Sequence, residues 1–84
     1  MKNFKQNQEA FILSHMRIKG RTAVYKCRLV KVTGMSPEKE EWQVTTLEEP
    51  IENLIVKDEN IFGNQDDLVK RVNEIVTSKI WRPA

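Results

Sequence analysis

Cysteine and histidine each occur once in these 84 residues, and glycine and proline three times each. A lone Cys27 excludes an internal disulfide framework, and a single His with a single Cys is too few ligands for a structural zinc site. The scarcity of Gly and Pro excludes collagen-like and low-complexity classes. No stretch approaches the roughly 18 apolar residues of a membrane helix. The opening Met1–Gln8 also lacks the apolar core of a secretory signal. Together with the single cysteine, this points to a cytoplasmic location, where thiols stay reduced.

What remains is 39% hydrophobic and 31% charged, the composition of one small globular domain over residues 1–84. The formal net charge is only +2, but the charges are segregated along the chain. Between His15 and Thr33 lie Arg17, Lys19, Arg21, Lys26, Arg28 and Lys31 without one acid. Residues 34–67 carry ten acids against Lys39 and Lys57. Such blocks either build a cationic surface beside an anionic one or neutralise each other across neighbouring strands.

Gly20-Arg21 is the strongest turn signal. Glycine leading a two-residue loop suits a type II′ hairpin. Folding there pairs Lys19 with Thr22, Ile18 with Ala23, Met16 with Tyr25, Ser14 with Cys27 and Ile12 with Leu29. One face then reads Ile12, Ser14, Met16, Ile18, Ala23, Tyr25, Cys27 and Leu29. The other carries Leu13, His15, Arg17, Lys19, Thr22, Val24, Lys26 and Arg28. A helix over residues 6–17 competes, since Glu9, Ala10, Leu13 and Met16 favour helices. Its apolar residues Ala10–Leu13 run consecutively, however, and make a poor stripe, so the strand reading is preferred.

Ser36-Pro37 followed by glutamates has the form of a helix start with room for one turn. Trp42–Leu47 favours a third strand and Asn53–Val56 a short fourth. Pro50 and its acidic neighbours suit an edge. Residues 64–80 read as a helix, with Asn64 as cap, Asp66 and Asp67 in the first turn, and Leu68, Val69, Val72, Ile75, Val76 and Ile80 on one stripe. Ile61 and Phe62 precede it as a staple. The expected fold is α+β: an antiparallel meander of three to four strands over residues 9–56, with the C-terminal helix packed on one face in two layers, after a flexible lead over residues 1–8.

No catalytic constellation emerges. Cys27 and His15 fall on opposite faces of the expected hairpin, and Cys27 reads as a small core residue. Asp58–Gly63 echoes a calcium loop but would place Phe62 and Val69 where oxygen ligands are required. Gly20, Gly34 and Gly63 are too dispersed for a phosphate loop. The adjacent acids Glu48/Glu49 and Asp66/Asp67 do not form a general acid–base pair. The expectation is a non-enzymatic binding protein without metal, cofactor or small-molecule substrate.

The positive signal is the basic hairpin over residues 15–31. Arg17, Lys19, Arg21, Lys26, Arg28 and Lys31 are the candidate binding residues, and an acidic partner, nucleic acid first, is the expected ligand. Exposed aromatics for base stacking are scarce there, with Phe11 at the far end joined at most by Trp42 or Trp81. The alternative is a regulatory or structural protein–protein module, including a homodimer formed through an edge strand.

Overall fold

A computed structural model describes residues 1–78. Strands β1 (Glu9–Lys19) and β2 (Thr22–Ser36) form the hairpin, followed by a single 3-10 turn at Pro37–Lys39. Strands β3 (Glu41–Thr46) and β4 (Asn53–Lys57) come next, then a second 3-10 turn at Asp58–Asn60, the two-residue strand β5 (Ile61–Phe62) and helix α1 (Gln65–Ser78). The five strands make one open antiparallel sheet in the order β4-β3-β2-β1-β5, with α1 packed against it. The α+β two-layer expectation holds, with β5 added where a staple was expected.

The turn and the outer half of the hairpin follow the sequence reading. Gly20 has φ +60, a left-handed conformation that glycine adopts at no steric cost. Lys19↔Thr22, Ile18↔Ala23 and Met16↔Tyr25 are partners as expected. Further in, a bulge at Ser14 changes the frame: Leu13 pairs with Cys27, Ile12 with Arg28 and Phe11 with Leu29. The expected Ser14–Cys27 and Ile12–Leu29 pairs are therefore replaced. One extra residue on one strand reverses the facing of everything beyond it.

This shift gives the sheet apolar clusters on both faces. Adjacent strand residues point to opposite sides, and Ile12 and Leu13 belong to different clusters. Ala10, Ile12, Val30, Val32, Trp42, Val44, Val56 and Ile61 form the first cluster, joined by half-buried Phe4 and Leu54. Leu13, Met16, Phe62, Leu68, Val72 and Ile75 form the second, beneath α1. The chain passes from β4 on one edge to β5 on the other through only Asp58–Asn60. Three residues span little more than ~10 Å, so the sheet curls around the first cluster to bring its edges together at that end.

The lead expected to be flexible is seated instead. Val32 N–H donates to the Gln8 carbonyl at 2.9 Å and Asn7 N–H to the Val32 carbonyl at 2.7 Å, continuing the β1–β2 pairing. Phe4 then meets the Trp42 ring edge-on, with centroids 5.0 Å apart. Helix α1 starts where the sequence places it: Asn64 Oδ1 accepts the Asp67 N–H at 2.9 Å. The expected helix continues to residue 80, and residues 79 and 80, like Trp81, lie outside the described residues.

Candidate functional site

The hairpin extends beyond the rest of the sheet. β3 pairs with β2 only from Val30 onward, and β5 pairs with β1 only at Phe11 and Ile12. Between Leu13 and Arg28 the two strands therefore pair with one another alone, as a ribbon-like arm. One face of this arm is anchored, because Met16 is buried and Ile18 and Ala23 pack against the cluster under α1. Tyr25 and Cys27 share that face by alternation but lie exposed. Cys27 is thus a surface thiol and not the core residue expected from the sequence.

The opposite face collects the cations. His15 stands across from Lys26, Arg17 from Val24, and Lys19 from Thr22. Together His15, Arg17, Lys19, Val24 and Lys26 line a groove of about 470 Å³. Arg21 sits in the turn at the tip, beside Gly20. Among the described residues, none of these cations has an ion-pair partner. Lys2, Arg28, Lys57 and Arg71 all do.

Two of the expected binding residues do not join this set. Arg28 points into the β3–β4 connection. Its Nη1 meets Glu52 at 3.1 Å, and its Nη2 donates to the carbonyls of Pro50 at 2.6 Å and Glu48 at 3.2 Å. There the neutralisation between the basic and acidic blocks is realised, by one residue of the hairpin. Lys31 has the opposite strand parity from Lys26 and pairs with Glu9 and Thr45, so it faces the other side of the sheet. Leu13, expected on the cationic face, is buried under α1. Phe11 also packs on the helix side, which leaves the basic groove without an aromatic.

Among the described residues no group of three or more His, Cys, Asp or Glu could hold a metal ion. No helix there is long and apolar enough to cross a membrane. Compared with known proteins, the chain matches no family model, no curated protein and no solved structure.

Proposed function

We propose that the protein is a non-catalytic binding module that docks its basic arm onto a polyanion, with nucleic acid as the ligand. The observation that carries this reading is the clustering of unpaired cations around one groove. Arg17, Lys19 and Lys26 lie side by side there, and among the described residues none has a carboxylate partner, whereas Lys2, Arg28, Lys57 and Arg71 are each paired with an acid. Unpaired cations at the spacing of a β-ladder can follow a phosphate backbone, and each phosphate neutralised releases counterions.

The absence of an aromatic platform from the groove argues for contact with backbone phosphates over stacking on single-stranded bases. A two-stranded ribbon has the width to enter the major groove of a duplex. Val24 supplies an apolar contact among the cations. Binding through this surface is therefore weakly sequence-dependent and strongly salt-dependent.

The test is fluorescence anisotropy of a labelled 20-base-pair duplex titrated at several salt concentrations. Affinity should fall steeply and log-linearly with salt, and Arg17→Glu with Lys26→Glu should abolish binding. Absence of binding at low salt, or an affinity indifferent to both substitutions, would refute the proposal.

A further inference from the structure

The hydrogen-bond phase along β4 is fixed at both ends. Thr46 N–H donates to the Glu52 carbonyl at 2.9 Å, and Asp58 N–H donates to the Glu40 carbonyl at 2.9 Å. Pairs alternate between bonded and non-bonded along an antiparallel ladder. The partners Val44↔Leu54 and Trp42↔Val56 are therefore the bonded pairs between these two contacts. It follows that Asn53, Ile55 and Lys57 turn their N–H and C=O groups outward, away from β3.

β4 is the last strand on its side of the sheet, and among the described residues no backbone bond covers this edge. Open edges are ordinarily blunted by a charge, a proline or a bulge. Here Asn53-Leu54-Ile55-Val56 has none of these, and its central residue Ile55 is 59% exposed. Lys57 is the strand's one charge, and it is turned to Glu41 on β3 at 2.9 Å.

We infer that β4 is a self-pairing edge, and that its occupant is β4 of a second copy of this chain, related by a two-fold axis through Ile55. The phase and the side chains both fit that operator. A two-fold axis perpendicular to the sheet makes the strands antiparallel and keeps the same faces together. With Ile55 opposite itself, Asn53 falls opposite Lys57, so the outward-turned residues meet one another and every outward N–H finds a carbonyl. Leu54 then meets Val56 on the face of the first cluster, continuing its apolar surface across the axis.

Charge is compatible with the same register. Lys57 meets a neutral Asn53 at each end, so no like charges stand opposite within the ladder. Just beyond it Glu52 comes opposite Asp58. Glu52 is already paired with Arg28, while Asp58 is held by Trp42 and Lys2. A shift by one residue would set Ile55 against Val56, mixing the faces and mismatching the outward groups. An edge of this length buries less than a standard interface, so the dimer is a reversible one.

Analytical ultracentrifugation of the full chain under reducing conditions, which silences Cys27, tests the inference. Wild type should pass from monomer to dimer across the micromolar range. Ile55→Lys places two ammonium groups on the axis and should leave a monomer at every concentration. Ile55→Pro removes only the outward N–H and so spares the β3–β4 ladder; it should weaken the dimer at least tenfold with the circular dichroism of wild type retained.

A wild type that is monomeric throughout overturns the inference. So does a dimer indifferent to both substitutions. A monomer whose Ile55 amide is protected from hydrogen exchange would mean that the chain's own terminus covers the edge, which also overturns it. Neither substitution touches the arm, so loss of dimer and loss of polyanion binding are read separately.

Discussion

The indole N–H of Trp42 donates to the Asp58 carboxylate at 2.8 Å, and the same oxygen accepts the Lys2 backbone N–H at 2.9 Å. This one carboxylate ties the N-terminal segment, strand β3 and the β4–β5 crossing together. Burial alone would raise its pKa. The Trp42 and Lys2 hydrogen bonds and the nearby Lys2 ammonium outweigh that effect and hold it below the ordinary carboxylate value.

A carboxylate with a depressed folded pKa stabilises the fold at pH values above its unfolded pKa. That contribution is lost as pH falls through the ordinary carboxylate range toward the folded value. Melting temperature should accordingly drop on acidification below about pH 4. Asp58→Asn should flatten this part of the profile and cost about 1–3 kcal/mol near neutrality. Thermal denaturation followed across pH in both proteins measures the difference.

Arg28 is expected to be a stability residue. Arg28→Ala removes the guanidinium from Glu52 and from the carbonyls of Glu48 and Pro50. It should lower stability by about 1–3 kcal/mol while leaving duplex affinity within a few-fold of wild type. Urea denaturation and anisotropy on the same preparation separate the two effects.

Charge reversal should be position-specific on the arm. Lys26→Glu should weaken duplex binding strongly and reduce the slope of affinity against salt. Lys70→Glu makes the same change in net charge on exposed α1 and should leave both nearly unaltered. Equal effects from the two would mean that overall charge, not the groove, governs binding.

Gly20→Ala forces a side chain into φ +60 although nothing lies within 4 Å of the added carbon. The cost is conformational only, about 1 kcal/mol, and Gly20→Asn should recover part of it. Chemical denaturation midpoints of the two variants test the order.

Deleting Ser14 tests the bulge. Without it the ladder runs unbroken from His15↔Lys26 to Leu13↔Cys27, and plain alternation keeps Leu13 beneath α1 and Ile12 in the first cluster. Cooperative unfolding should therefore be retained in the deletion variant, and its loss would show that the bulge itself is needed. Ser14→Ala loses only an exposed 3.2 Å bond to the Lys26 carbonyl and should change stability by less than about 1 kcal/mol.

The outer arm was legible in the sequence because a turn glycine and alternating side chains specify the same pairs. Lys19↔Thr22 through Met16↔Tyr25 and the opposition of His15 to Cys27 follow from that agreement. The bulge was not legible, since period-two alternation is assumed when it is used. A clue was nonetheless present in Ala10-Phe11-Ile12-Leu13. A continuous apolar run is what a strand buried on both faces requires. The same run made the helix alternative look poor without disclosing the second core.

Phe4 and the Ile61-Phe62 strand were missed for a related reason. Their partners, Trp42 and the β1 edge, are distant in sequence, and no local pattern records such pairings. Arg28 looked equivalent to Lys26 because strand alternation gives facing but not partners. Its capture depends on the β3–β4 connection folding back beside it.

Ser14 also divides β1 into two lengths under different constraints. Inward of it both sides of the strand are committed to packing, and substitution there is costly. Outward of it only the side beneath α1 is committed, so the groove residues carry no packing constraint. Ser14 thus marks the border between a stretch of strand locked into the interior and an outer stretch whose open side can change without repacking the core.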